Sequence, residues 1–142
     1  MNRLTEIEIE GFKSIRKMRL KLEPLNVLIG ANGAGKSNFI SFFRLLNAIV
    51  SEKLQEYIGR SGGATSLLYY GPQETEFIRS KLFFSTEKED SFYSFGLFYS
   101  PKDTLVFIDE HYKVFYENWK IPLEFLFPED QPDQSLHSCF FQ

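Results

Sequence analysis

The residues best suited to chemistry lie in one glycine-rich stretch, residues 30–38, with the sequence GANGAGKSN. It fits the pattern G-x-x-x-x-G-K-[ST], in which backbone N–H groups surround phosphate oxygens. Lys36 would place a positive charge beside the β- and γ-phosphates, and the hydroxyl of Ser37 would bind Mg²⁺. The predicted nucleotide-binding residues of this stretch are Gly30, Ala31, Asn32, Gly33, Ala34, Gly35, Lys36, Ser37 and Asn38.

The elements on either side of this stretch decide whether it can bind phosphate. Residues 26–30, NVLIG, form a short apolar run that predicts a strand buried on both faces. After the loop, apolar residues recur at spacings of three and four, which predicts a helix over residues 36–57 that ends near Gly59. A strand, the full motif and a helix in this order predict a P-loop, and a glycine-rich turn without a ligand is the less favoured alternative.

The remaining chain has the pattern of β-strands. Residues 4–12 and 18–23 alternate polar and apolar side chains, which predicts two strands, and the short connection between them favours antiparallel pairing. Segments rich in Phe, Tyr, Val and Ile between residues 61 and 121 are separated by short polar clusters, which favours an antiparallel meander.

We therefore predict an α/β fold: a P-loop NTPase core sheet with one helix packed on it and a flanking antiparallel β-meander. The predicted division is a P-loop core over residues 1–60, an antiparallel β-lobe of the same domain over residues 61–121, and an irregular tail over residues 122–142. The tail is assigned because it contains three prolines and several acids.

The N-terminal part of the chain resembles the start of the ABC-type ATPase heads of the RecF, SMC and OLD-like group, many of which are AAA-family ATPases. The resemblance is carried by GFKS shortly before the loop, by the form GxNGxGKSN of the loop, and by Phe39 after Asn38. It is strong over residues 4–50 and looser over residues 65–117. It implies ATP and Mg²⁺ as ligands, and it implies that Lys13 and Ser14 lie near the nucleotide, although an exposed turn explains these two residues equally well.

Three further motifs have the form of ATPase elements, and we discount each. The segment TLVFIDE (residues 104–110) resembles a Walker B strand, in which Asp109 would hold Mg²⁺ and Glu110 would orient the attacking water. The spacing instead favours a β-turn at these two acids, with HYKVFYE as the returning strand of a hairpin. Gln73 is a weak candidate for a Mg²⁺-sensing glutamine, and RSGGA (residues 60–64) is better explained as a flexible loop than as an ABC signature.

The charge is unevenly divided along the chain. Residues 1–60 hold 10 basic against 6 acidic side chains, a balance of +4, whereas residues 61–142 hold 6 against 13, a balance of −7. The first part could therefore face phosphates, whereas the second could not wrap a nucleic acid unaided. No apolar run predicts a membrane span or a signal peptide, and one cysteine, Cys139, fits a cytoplasmic protein. Cys139 and His137 alone do not make a metal site.

These features predict Mg²⁺-ATP binding by the N-terminal part of a RecF/SMC-like ATPase head. Hydrolysis is expected once further chain or another subunit completes the site, because family heads are much longer than this chain. The resemblance implies a second head as partner and a role in DNA repair or defence, and DNA is a possible ligand on that ground alone. The alternatives are a nucleotide-binding module that does not hydrolyse and acts through association, or a truncated fragment.

Overall fold

The computed structural model describes residues 3–116, which form one five-stranded antiparallel sheet with helices packed on one face. The strands are β1 (Arg3–Phe12), β2 (Ile15–Lys21), β3 (Phe77–Ser85), β4 (Glu89–Ser100) and β5 (Thr104–Tyr116). The helices are α1 (Lys36–Val50), α2 (Leu54–Arg60) and a 3₁₀ turn, η1 (Ala64–Ser66). The strand order is β2-β1-β3-β4-β5, so the sheet is continuous across the predicted division at residue 60.

The alternating residues of β1 separate the two faces of the sheet. Ile7 and Ile9 are fully buried and lie beneath α1, where Phe42 and Leu45 of the helix join the same cluster. The glutamates that alternate with these isoleucines project to the opposite face, where Glu6 and Glu8 form ion pairs with Arg19. One face therefore holds the main hydrophobic core, and the other combines these ion pairs with a smaller aromatic contact between Phe83 and Phe92.

Several predicted elements are confirmed by the structure. β1 pairs with β2 in the expected antiparallel direction, and β3 and β4 form from the aromatic-rich segments. The helix after the loop begins at Lys36, as the apolar periodicity indicates. No helix within residues 3–116 is both long enough and apolar enough to cross a membrane.

The prediction of a buried strand at residues 26–30 is wrong. This segment is irregular, and Val27 and Ile29 are 72% and 90% exposed. All five strands of the described sheet pair with one another, and none of them adds a parallel neighbour to residues 26–30. An apolar run needs such neighbours to pair its backbone and cover its side chains, and without them these residues stay irregular and exposed.

The single helix predicted over residues 36–57 is two helices. α1 ends at Val50, and Glu52 has a positive φ of 58°. The amides of Ser51 and Lys53 then bond the carbonyls of Asn47 and Ala48, which closes the last turn. A second helix then begins at Leu54, and no glycine or proline in the sequence marks this break.

The β-turn expected at Asp109 and Glu110 is also wrong, because β5 runs unbroken through both residues. β4 is long enough to pair with it from Ser100 back to Glu89, with one irregularity beside Gly96. Residues 109–116, DEHYKVFY, contain no glycine, proline or asparagine that would favour a tight turn. The two segments predicted as a hairpin therefore form one long edge strand.

Candidate functional site

The glycine-rich loop ends at the first turn of α1 in a form suited to an anion. Gly35 is the N-cap residue and has a φ of 87°, and Gly33 has a φ of 86°. A side chain would be strained at either position, so glycine is required for this path of the backbone. No side chain caps the helix, and its first turn carries no acidic residue. The N–H groups at this end are therefore free to bind a phosphate.

Lys36 folds back over the loop that precedes it. Its ammonium group donates hydrogen bonds to the carbonyl oxygens of Gly30 and Ala31, the second at 2.7 Å. The amide of Ala34 also bonds the carbonyl of Ala31 at 3.2 Å, which closes the loop into a turn. The positive charge thus lies in the concave side of the loop, beside the helix end, where phosphate oxygens would replace the two carbonyls as its partners.

The turn between β1 and β2 lies directly against this loop. The side-chain amide of Asn38 donates a hydrogen bond to the hydroxyl oxygen of Ser14 at 2.7 Å. A Cβ atom on Gly35 would lie 3.3 Å from the same oxygen. The structure therefore brings Ser14 together with the start of α1, while the implied position of Ser14 near a nucleotide stays a prediction.

Lys13, the neighbour of Ser14, adds a second cation near the loop. It has a positive φ of 50°, and its backbone amide bonds the carbonyl of Leu67 at 2.8 Å. Partial burial lowers the pKa of the Lys13 ammonium, and the charge of Arg44 lowers it further. Arg44 is a residue that sequence reasoning missed. It follows Ser37 by seven positions on α1, so helical spacing could have placed both on one face.

Gln73 occupies the exposed turn that leads into β3. Two residues later, the methyl group of Thr75 packs where a Cβ atom on Gly11 would lie, 2.9 Å away. Gln73 is therefore in the neighbourhood of the β1–β2 turn. The structure gives it no contact with the glycine-rich loop, and its role as a Mg²⁺-sensing residue stays a prediction.

Asp109 and Glu110 lie on the edge strand β5. Glu110 pairs with Phe95 and accepts a hydrogen bond from the Tyr93 hydroxyl at 2.6 Å. Asp109 pairs with Gly96 on the opposite face of the sheet from α1. One row of cross-strand neighbours runs from Glu10 of β1 through Arg79 of β3 and Gly96 of β4 to Asp109 of β5. Adjacent strands are about 4.8 Å apart, so three spacings put Asp109 about 14 Å from β1. Asp109 thus lies three strands away from β1 in this row, and its role as a Mg²⁺ ligand stays a prediction.

The other discounted motifs have structural roles. Gly62 and Gly63 follow the end of α2 with positive φ angles, so the glycines of RSGGA form a turn rather than open a long helix. Within residues 3–116, no group of three His, Cys, Asp or Glu side chains is arranged to hold a metal ion. Cys139 and His137 lie outside the described residues.

Comparison with known proteins gives a family and a fold. A family model described as an AAA ATPase domain matches residues 3–131. No curated protein matches the chain. Among solved structures, the chain is similar to the recombination mediator protein RecF of the RecFOR pathway, in a structure described as RecF-ATPrS. That match has a TM-score of 0.50 and 22% identity, and it covers 80% of this chain.

The chain spans about a quarter of the RecF chain that it matches, 26% of its length. The likeness is therefore to one part of that protein, and at this identity it shows the fold. The family model, by contrast, covers most of the present sequence, including the glycine-rich loop and the whole described sheet. The chain belongs to the AAA ATPase domain family.

Proposed function

We propose that this chain binds Mg²⁺-ATP in the loop of residues 30–38, as the N-terminal part of an ATPase head. The observation that carries the proposal is the start of α1. Gly35 opens the helix without a side-chain cap, and the Lys36 ammonium lies in the loop beside it. Free N–H groups, the positive end of a helix and a mobile cation together favour a triphosphate over water.

Each residue of the loop would take a distinct part in binding. The N–H groups of the first turn of α1 would hold the β-phosphate, and Lys36 would bridge the β- and γ-phosphates after releasing its two carbonyls. The Ser37 hydroxyl would be a ligand of Mg²⁺, which neutralises charge on the bound phosphates. Lys13 and Arg44 would raise the local positive potential.

We further propose that additional chain or a partner subunit completes the site for hydrolysis. The exposed apolar segment of residues 25–29 supports this, because Leu25, Val27 and Ile29 are between 72% and 90% exposed and run directly into the loop. Apolar runs of this kind are normally covered. The small fraction of RecF that the chain spans is in keeping with a missing part of the head.

The wider role is proposed from likeness alone. RecF is a recombination mediator, so we propose that the completed protein serves DNA recombination or repair, with DNA and a second ATPase head as partners. The cytoplasm is the proposed location, since the sequence has one cysteine and a nucleotide site.

A second candidate is a module that binds nucleotide without hydrolysing it. The placement of Asp109 and Glu110 on the edge strand favours it, because Glu110 is bonded there to Tyr93 and Asp109 is on the face of the sheet opposite α1. The two candidates differ in turnover. Phosphate release from ATP by the chain, alone or with its completing partner, supports the ATPase. Binding without release supports the module, and an unchanged rate in Glu110→Gln would exclude Glu110 as the residue that orients water.

Equilibrium dialysis with labelled ATP, with Mg²⁺ and with EDTA, tests the proposed site. Lys36→Ala should weaken binding by about 10- to 100-fold, because a hydrogen bond to a charged group contributes about 1.5–3 kcal/mol. Lys102→Ala is the matched control, since Lys102 is an exposed lysine of the β4–β5 turn. Circular dichroism should show that both variants are folded. Equal affinity of wild type and Lys36→Ala would place the nucleotide elsewhere or nowhere.

A further inference from the structure

The β1–β2 turn and the start of α1 are joined by side chains that lie 24 positions apart in the sequence. Asn38 donates its amide hydrogen to the Ser14 hydroxyl at 2.7 Å. The same hydroxyl oxygen is 3.3 Å from the position that a Cβ on Gly35 would take. The turn therefore contacts both the N-cap residue and the first turn of the helix.

This turn is itself firmly held by the segment that follows η1. The Lys13 amide bonds the Leu67 carbonyl at 2.8 Å, and the Tyr69 amide bonds the Gly11 carbonyl at 3.0 Å. Phe12, at the end of β1, is fully buried and forms a β-bridge with Leu68. Ser14 thus projects from a part of the chain that is fixed on the sheet.

The chain on the other side of the helix start has little support. Residues 25–29 are irregular, and Val27 and Ile29 are largely exposed. The loop enters α1 from this segment, so its path is not set by strand pairing in the described residues. The N–H groups of the helix start nonetheless have to point at one position to bind an anion well. A contact from the fixed side would supply that orientation.

We propose that Ser14 is a positioning residue, which acts through Asn38 to hold the first turn of α1 in the orientation that binds phosphate. The inference deepens the proposed nucleotide site and rests on it. Ser14 need not touch the nucleotide, because its oxygen already accepts the Asn38 hydrogen bond. The β1–β2 turn, which is fixed on the sheet, would then affect how tightly the loop binds phosphate.

A double-mutant cycle on ATP affinity tests this coupling. Dialysis with Mg²⁺-ATP would compare wild type, Ser14→Ala, Asn38→Ala and the double variant. A net hydrogen bond of about 0.5–1.5 kcal/mol predicts a two- to tenfold loss in each single variant. The double variant should lose no more than the weaker-binding single variant, because both changes remove one contact. Ser14→Thr keeps the hydroxyl and should restore most of the affinity.

Ser85→Ala is the matched control, since Ser85 also makes an exposed side-chain hydrogen bond, to Asp90 at 2.6 Å, but lies at the end of β3. It should leave ATP affinity unchanged. Additive losses in the cycle, or an Ala variant of Ser14 that binds as wild type does, would overturn the positioning role while leaving the nucleotide site intact.

Hydrogen exchange without nucleotide separates this failure from failure of the site. The Phe39 amide bonds the Gly35 carbonyl at 2.9 Å, so its exchange reports on the first turn. Ser14→Ala and Asn38→Ala should speed its exchange by a similar factor, and Ser85→Ala should not. If the wild type takes up no ATP and the two variants still exchange faster, the contact between Ser14 and Asn38 is purely structural, and both proposals are overturned. Unchanged exchange with normal ATP binding would overturn the positioning role alone.

Discussion

Replacing Phe42 by alanine should cost more folding stability than replacing Phe43, because the two side chains lie on differently buried faces of α1. The Phe42 ring is fully buried, while its neighbour Phe43 is 38% exposed. Phe42 packs edge-on against Phe12 at a centroid distance of 5.3 Å and stacks on Phe95 at 6.4 Å. It therefore joins the helix that carries the phosphate-binding end to two strands of the sheet. Phe43 contacts Phe39 of the same helix, at 5.3 Å.

The expected magnitudes follow from burial. Phe42→Ala removes a ring from a closed core and leaves a cavity, which costs about 3–5 kcal/mol. Phe43→Ala loses about 60% of the transfer free energy of a phenylalanine, about 1–2 kcal/mol, without a closed cavity. The two variants should therefore differ by about 2–3 kcal/mol in their free energy of unfolding. From a total stability of about 5–15 kcal/mol, Phe42→Ala would remain folded unless the wild type lies at the low end of that range.

Urea denaturation followed by circular dichroism measures this difference. With a slope of about 1–3 kcal/mol per molar urea, the two midpoints should differ by about 1–2 M, and Phe42→Ala should have the lower one. A urea denaturation curve of the wild type, measured alongside the two variants, gives the slope of unfolding free energy against urea concentration. Equal midpoints for the two variants would refute the packing of α1 described above, since they would mean that the Phe42 face is no more buried than the Phe43 face.

Two further predictions concern pH. Burial, and secondarily the hydrogen bond to Glu110, raise the pKa of the Tyr93 phenol. The protonated phenol therefore contributes stability that is fully present below pH 10 and is lost as the pH rises further. The fall in urea midpoint between pH 8 and pH 10.5 should be smaller in Tyr93→Phe than in wild type, and equal falls would contradict this. The hydrogen bond from the Thr65 hydroxyl lowers the pKa of Asp103. The ionised Asp103 therefore contributes stability that is present above the ordinary pKa of 3.8 and is lost as the pH falls below it. Asp103→Asn should therefore lose less stability than wild type between pH 5 and pH 3 in thermal melts, and a matching loss would show that Asp103 carries no such contribution.

Local patterns predicted those parts of the fold whose neighbours are close in sequence. β1 and β2 follow from alternation, and they pair across a turn of two residues. The start of α1 at Lys36 follows from the motif and from the apolar spacing that comes after it. The pairing partner of β1 in this hairpin is adjacent in sequence, and α1 is identified from its own periodicity, although Phe95 of distant β4 helps to bury it.

The failures occur where distant chain decides the outcome. Residues 26–30 have the composition of a buried strand, but the described sheet gives them no neighbour. β5 is continuous because β4 pairs along its whole length, which the acids Asp109 and Glu110 do not reveal. The contact between Ser14 and Asn38 joins residues that were both predicted near the nucleotide, yet no local spacing could predict the bond itself.

Nucleotide binding and hydrolysis also differ in whether the residues they need are close together in the sequence. Phosphate binding needs a loop, a helix end and one lysine, all of which lie in consecutive residues and are placed by packing on one sheet. Water activation needs a carboxylate held close to the γ-phosphate, whereas Asp109 and Glu110 lie on the edge strand, where Glu110 is bonded to Tyr93. The first activity can therefore be present in this chain without the second. Hydrolysis would then depend on whatever supplies a carboxylate near Ser37.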